Sequence, residues 1–235
     1  MNIALFGFGK MGKMLEKLGI ARGHSFPVKI ELDSDRSVLD FSNIDVAIDF
    51  STPNAAFDNI KQCFEEGIPV VSGTTGWLAN YKEAVALCKQ KNSAFIYASN
   101  FSLGVNIFFE LNKKLAQIMS NSPGYSVSME EIHHIHKLDA PSGTAITLAD
   151  DIIENSRYTA WHLKSESENV IPITAKREGE VPGTHSICYK SSVDSIEITH
   201  TAHNREGFAL GALIAAEWIH GKKGVFSMKD VLNLV

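Results

Sequence analysis

From Asn2 to Phe6 the chain is a short apolar run, broken at once by Gly7, Gly9 and Gly12, after which Met11, Met14, Leu15 and Leu18 recur at helical spacing. A strand, a glycine turn and a helix are predicted. The alternation then repeats. Phe26 to Leu32 is a second apolar run, closed by Asp33, and Val46 to Phe50 a third, closed by Ser51-Thr52-Pro53, where Pro53 suits the first turn of a helix reaching about Glu66. Ile68 to Val71 leads into Ser72-Gly73-Thr74-Thr75-Gly76, a helical stretch follows from about Leu78 to Lys89, and Ala94 to Ala98 makes a fifth strand. Strands alternating with helices in this way predict a parallel sheet covered on both faces.

Beyond Asn100 the period changes. Leu103, Ile107, Phe108, Leu111, Leu115, Ile118 and Met119 form one face of a long helix, closed by the turn signal Asn121-Ser122-Pro123-Gly124. Tyr125 to His134 reads as a strand and Ser142 to Glu154 as a helix. Further strands are expected near Val170 to Ala175, Thr184 to Lys190 and Ser195 to Ala202, with loops at Lys164 to Asn169 and Arg177 to Gly183. Regular βα alternation is gone, so this part is expected to be an α+β unit on a mixed or antiparallel sheet. The Ala-rich segment Gly207 to Ile219 is a buried helix returning to the first unit. The fold class is therefore α/β: a Rossmann-like parallel-sheet domain of residues 1–102 and 207–235, interrupted by a second domain of residues 103–206.

Composition narrows the function classes. With 44% hydrophobic and 21% charged residues in 235, the chain is neither disordered nor fibrous. Its 22 Lys and Arg against 27 Asp and Glu give a net charge of −5, without the basic stripe of a nucleic-acid binder. Cys63, Cys88 and Cys188 are odd in number and far apart, so neither a disulfide framework nor a cysteine metal knuckle is expected, and a cytoplasmic setting fits. The first dozen residues lack the basic start of a signal peptide. Phe208 to Ile219 is too short for a membrane span and contains Glu217. Histidine is the unusual residue: of nine, seven lie between His133 and His203, placing groups that titrate near neutrality in the second half.

Three places could carry chemistry. Gly7-Phe8-Gly9-Lys10-Met11-Gly12 fits GxGxxG between a strand and a helix. Gly7 would allow the tight turn, Gly9 the approach of a pyrophosphate and Gly12 close packing of helix on strand, with the helix N-terminus favouring the anion. Asp33, past the second strand, is placed to accept hydrogen bonds from a ribose; Arg36 and Lys10 could instead meet a 2′-phosphate, which leaves NADH against NADPH open. Gly73-Thr74-Thr75-Gly76 and Ala98-Ser99-Asn100-Phe101 follow predicted parallel strands, where ligands of open sheets bind, although small polar residues are also plain turn formers.

The densest constellation runs from Glu130 to Thr144, with three imidazoles, an ammonium and carboxylates at a strand-to-helix junction. A strand continuing to His134 would point His133 and His134 to opposite faces. Pro141-Ser142-Gly143-Thr144 reads as a helix start whose N–H groups and hydroxyls could bind a carboxylate or phosphate, with Ser142 acting as the N-cap in the simplest case. Metal is not expected, since HExxH and a cysteine pair are both missing. His162, His185, His200 and His203 read as structural.

Taken together, GxGxMG at the start, the Gly73-Thr74-Thr75-Gly76 loop, Asn100-Phe101-Ser102, the run HHxxKxDAPSGTA from His133 and the tail HxAxxRxxFAxGAxxAAxW from His200 resemble the 4-hydroxy-tetrahydrodipicolinate reductase (dihydrodipicolinate reductase) family over nearly the whole chain. The resemblance implies reduction of a cyclic dicarboxylate by NADH or NADPH in the diaminopimelate route to lysine, by a cytoplasmic homotetramer. By motif it makes His133 the proton donor and acceptor and Lys137 the second donor. His134, Gly143 and Thr144, with Ser142 at the same helix start, would bind substrate. The cofactor would lie on Gly7 to Gly12, on Gly73, Thr74 and Thr75, and on Ala98 to Phe101. It also assigns residues 103–206 to substrate binding and oligomerisation. The chain departs from many members at Ile135, where Arg is common, and by a shorter region around Asn155 to Asn169.

Overall fold

The computed structural model describes residues 1–31, 33–35, 39–164 and 167–234. Arg36 lies outside the described residues, as do Leu32 at the end of the second apolar run and the middle of the 164–169 loop. The described chain forms two compact units, one of Met1–Leu103 with Glu206–Val235, the other of Gly104–Arg205.

The first unit begins with β1 (Asn2–Phe6), α1 (Lys10–Ala21), β2 (Ser25–Ile30), β3 (Val46–Asp49), α2 (Pro53–Glu65), β4 (Val70–Ser72), α3 (Tyr81–Gln90) and β5 (Ala94–Tyr97). Then come α4 (Leu103–Met119), β6 (Ser126–His133), α5 (Gly143–Glu154), β7 (Ala160–Leu163), β8 (Val170–Arg177), β9 (Thr184–Lys190) and β10 (Ser195–Thr201). The chain returns to the first unit through α6 (Glu206–Ile219), β11 (Gly224–Phe226) and α7 (Met228–Leu232).

The first sheet is parallel throughout, in the order β11-β5-β4-β3-β1-β2. Its two faces divide the alternating strand residues: Ile3, Leu5, Val46 and Ile48 join one core with the alanines of α6, while Ala4, Phe6, Ala47 and Val70 join another with α2. A strand buried on both faces needs an unbroken apolar run, which is why these strands show as runs and not as alternations. The sheet has one strand more than the runs predicted. β11 is only Gly224-Val225-Phe226, too short between polar neighbours to show a period, and it pairs with β5.

The second sheet is mixed, in the order β10-β9-β6-β8-β7, with β6 parallel to β8 and antiparallel to β9. Here the strands alternate, because α4 and α5 supply core to one face only. Along β6 the inward positions are Val127, Met129, Glu131 and His133. The strand ends at His133, so His134 stands in the following turn and not on an opposite strand face. β7 was not expected, because two of its four residues are exposed and no apolar stripe marks it. Arg177, expected in a loop, is the last residue of β8. Among the described residues no helix is long and apolar enough to cross a membrane.

Candidate active site

In the first unit the expected cofactor residues follow the carboxyl ends of β1, β2, β4 and β5. The three fingerprint glycines differ in what the chain itself asks of them. Gly7 has φ +93°, and a Cβ there would lie 2.1 Å from the Phe50 carbonyl oxygen; one at Gly12 would lie 2.4 Å from the Gly7 carbonyl. Both are fixed by packing. A Cβ at Gly9 meets nothing within 4 Å, so no contact within the chain requires glycine there. Gly9 is the N-cap residue of α1, and its open space adjoins the first-turn N–H groups of Lys10 and Met11, which have no helical carbonyl to bond. Phe8 is half-buried, with Lys29 Nζ 5.1 Å from its ring centre, and Asp33 is exposed three residues past β2.

The adjoining loops are tied together by a residue the sequence reading passed over. Asp49, the last residue of β3, is 1% exposed and accepts from Ser51 Oγ (2.6 Å), Asn59 Nδ2 (3.1 Å), Ser72 Oγ (3.0 Å) and Thr74 Oγ1 (2.7 Å). Burial pushes this carboxyl above its ordinary value, against the pull of the four bonds. The Thr74 hydroxyl also accepts from Ser51 N at 2.8 Å, so that side chain is committed to the protein, while Thr75 next to it is exposed. Ala98 N donates to Ser72 O, Asn100 Oδ1 accepts from Ser102 N, and the Phe101 ring is buried 5.9 Å from that of Phe50. Thr74 and Phe101 therefore face inward with their side chains and offer a ligand only backbone.

In the second unit the sheet register assembles the candidate chemistry. β6 against β9 sets Glu131 opposite His185, and β6 against β8 sets His133 opposite Arg177. Glu131 is fully buried. Its Oε1 accepts from Arg177 Nη2 at 3.0 Å and its Oε2 from Ser142 N at 3.0 Å, while His133 Nδ1 lies 3.3 Å and His185 Nε2 3.8 Å from Oε2. Burial alone would raise this carboxyl; His133, Ser142 and Arg177 overcome it and hold it down at about 2. The His185 ring stands 5.1 Å from that of His133, edge to face, and its Nε2 is 3.1 Å from Ser142 Oγ. Burial brings His185 down to about 4, so it is neutral near pH 7.

Ser142 caps α5 as the sequence suggests, its Oγ accepting from Ala145 N. It is also 3% exposed, with its N–H on Glu131 and its hydroxyl on His185. These contacts make it a support for the helix start. Gly143 is exposed and Thr144 half-buried in the first turn, where N–H groups lack carbonyl partners. Lys137 Nζ bonds both Asp139 oxygens at 2.8 Å. Arg177 clips the same turn, donating to Lys137 O and Asp139 O. His134 is half-buried, 6.0 Å ring to ring from exposed His136. Ligand atoms of Glu131, His133 and His185 lie within 4.8 Å of one another, a spread one cation could bridge. A cavity of about 450 Å³ in this unit, lined by Ser126, Arg157, Tyr158, Asn169 and Pro172, contains none of these groups.

Glu131 fell inside the expected constellation without a role of its own, His185 was read as structural, and Arg177 was placed in a loop. For Glu131 a signal existed: it stands two residues before His133, at an inward position of a strand whose other inward residues are apolar. Arg177 and His185 reach the cluster only through strand pairing, which no local pattern reveals.

A glycine turn on a Rossmann-like parallel sheet, carried with a mixed-sheet unit that holds an imidazole and carboxylate cluster, defines an oxidoreductase of the NAD(P)H-dependent class. Residues 1–101 match the family model described as "Dihydrodipicolinate reductase, N-terminus" and residues 104–232 the one described as "Dihydrodipicolinate reductase, C-terminus"; the chain belongs to the dihydrodipicolinate reductase family. It is 58% identical over 234 residues to the 4-hydroxy-tetrahydrodipicolinate reductase of Christiangramia forsetii, covering 99% of this chain and 98% of that one. To the enzyme of the same name from Buchnera aphidicola it is 35% identical over 230 residues, 93% and 81% of the two chains. A dipicolinate-bound dihydrodipicolinate reductase from Paenisporosarcina sp. TG-14 shares the fold over 100% of this chain and 99% of its own, with a TM-score of 0.78 at 22% identity.

Proposed function

We propose that this chain reduces 4-hydroxy-tetrahydrodipicolinate to tetrahydrodipicolinate with NADH or NADPH, in the diaminopimelate route to lysine. The observation that carries the reading is the His133-to-Thr144 run, folded as a strand end, a turn and a helix N-terminus around one buried carboxylate. Loss of the substrate's 4-hydroxyl as water leaves a conjugated ring; a bound nicotinamide would supply hydride to it, and what remains must then be protonated. His133 gives that proton from the imidazolium, and the Lys137 ammonium balances negative charge developing on the substrate. Asp139 holds the ammonium where a substrate carboxylate would replace it. His134 and the free first-turn N–H groups of Gly143 and Thr144 bind the other carboxylate.

The open space before Gly9 receives the pyrophosphate on the Lys10 and Met11 N–H groups, with Phe8 and Gly12 shaping the turn and Asp33 at the ribose. Gly73, Thr74, Thr75, Ala98, Ser99, Asn100 and Phe101 frame the nicotinamide half. The first unit is thus the dinucleotide-binding domain and the second the substrate-binding and oligomerisation domain of a cytoplasmic homotetramer. These steps need no metal, since His133 and Lys137 supply the proton and the balancing charge.

The test is oxidation of NADH and of NADPH by purified protein given freshly generated substrate. Turnover with at least one cofactor is expected, unchanged after treatment with a chelator; no turnover with either would sink the reading. Light scattering of the same sample checks for the tetramer.

A further inference from the structure

A buried carboxylate that touches an imidazole, a guanidinium and a helix N-terminus at once does more than fill a core position. Among the described residues Glu131 meets all three. Through Oε2 it faces Nδ1 of His133 and accepts the N–H of Ser142, the N-cap of α5. Through Oε1 it holds Arg177, which in turn bonds the carbonyls of Lys137 and Asp139. The elements assigned above to proton donation, charge balance and carboxylate binding thus share one anchor.

The geometry at His133 gives that anchor a direction. His133 is 8% exposed; its Nδ1 is buried 3.3 Å from Glu131 Oε2, within ion-pair distance but without hydrogen-bond geometry, and has no other partner among the described residues, so Nε2 is the nitrogen left for other partners. Nε2 lies beside Gly183, where a Cβ would sit 3.1 Å away at a φ of +154°. A side chain there would press on that nitrogen and sit at a strained φ. A carboxylate at Nδ1 favours the proton on that nitrogen, and so keeps Nε2 as the site where a proton is taken up or given.

We propose that Glu131 is a positioning residue of this enzyme that acts through His133, fixing its Nδ1–H tautomer and its orientation. The proposal rests on the reductase reading for its kinetic arm only. His185 and Ser142 complete the surround of the carboxylate, the first neutral and the second donating its backbone N–H, so the His133 imidazole and the Arg177 guanidinium are the groups that bear on its charge.

The experiment combines kinetics with nitrogen-15 spectra of histidine-labelled full-length protein, His133→Gln identifying the His133 signals. Glu131→Gln keeps shape and one acceptor oxygen but removes the charge. A kcat loss of at least about 30-fold is expected, with NADH affinity unchanged. In the His133→Gln background the same substitution should change kcat by less than about threefold, since it acts through an imidazole no longer there. A merely structural role would repeat its full loss in both backgrounds. In the spectra the protonated Nδ1 of His133 in the unaltered protein should give way to a mixture of tautomers. Should Glu131→Gln fold poorly, Glu131→Asp retains the charge one methylene further back and is expected to show a smaller loss of the same kind. A kcat within threefold of the unaltered enzyme, multiplicative losses in the double variant, or an unchanged His133 spectrum would each overturn the proposal. Absence of turnover in the unaltered protein would instead refute the reductase reading, and the spectra would then decide the role of Glu131 alone.

Discussion

Among the described residues each unit buries a carboxylate at or near the end of a central strand, and the two are satisfied in opposite ways. Asp49 ends β3 among four neutral donors, three of them hydroxyls, and burial leaves it above its ordinary value. Glu131, near the end of β6, is paired with a guanidinium and an imidazole and held down at about 2. Neutral donors fasten loops without creating a field, which suits a surface that must receive an anionic dinucleotide. Charged partners create a field at a chosen nitrogen, which suits proton transfer. The difference teaches that a buried acid alone does not mark a catalytic centre; the charge of its partners separates a knot in the scaffold from a group bearing on chemistry.

The strongest way to break this division is to disable each half separately. His133→Gln and Lys137→Ala should each lower kcat by about 10²- to 10⁴-fold while NADH affinity, followed by fluorescence titration, stays unchanged. Gly9→Val should do the reverse. Its side chain enters space empty of protein, so the fold and melting temperature should persist while nucleotide binding is lost. If Gly9→Val bound NADH normally, or if His133→Gln lost it, the two halves would not be divided as described.

Acid stability sharpens the same contrast. Because Glu131 is depressed from an ordinary 4.5 to about 2, its stabilisation, on the order of 3 kcal/mol, is present above about pH 4.5 and lost as pH falls towards about 2. Asp49, raised above 3.8, runs the other way: acidification relieves a buried charge, so its contribution improves as pH drops through its folded value. Melting curves from pH 6 to pH 3 should therefore flatten in Glu131→Gln and steepen in Asp49→Asn. Equal slopes in the two variants would mean that both acids answer to their surroundings alike.

A smaller effect is expected from Asp49→Asn at neutral pH. The amide turns one acceptor into a donor and strands the hydroxyls that pointed at it, costing about 1–3 kcal/mol in unfolding free energy. Because Asp49 ties the Ser51 and Thr74 loops, NADH should bind more weakly, while kcat at saturating cofactor should match that of the unaltered enzyme.

How much of this was legible in the sequence follows from the same two acids. The first sheet announced itself because strands buried on both faces appear as apolar runs, and the glycine fingerprint fell where a run gives way to a helix. Asp49 ends such a run and so passed as a strand terminus; two of its four partners, Ser72 and Thr74, reach it only through the parallel pairing of β3 with β4. In the second unit the His133-to-Thr144 run was conspicuous locally, and its strand, turn and capped helix were readable from alternation and from Ser142. What could not be read was that residues 46 and 54 positions away, Arg177 and His185, are the partners of Glu131. Long-range register carries that information, and one sequence contains no local trace of it. The default that assigns an isolated histidine to structure therefore left His185 out of the cluster.

The smallest predicted effect comes from the residue next to Glu131. Glu130 lies on the same strand but on the opposite face, half-exposed, with Lys176 Nζ at 2.7 Å. It has the same side chain and also has a cationic partner, so chemical identity predicts nothing different from Glu131. Burial predicts a great deal. In water the pair is screened and held against side-chain entropy, so Glu130→Gln should change stability by no more than about 1 kcal/mol and leave both kcat and the acid slope of the melting curve in place. A larger loss accompanied by dissociation in light scattering would place this face of the sheet in contact with another copy of the chain. A larger loss of kcat without dissociation would instead show that charge anywhere on β6 reaches His133, and the distinction drawn from partner chemistry would fail.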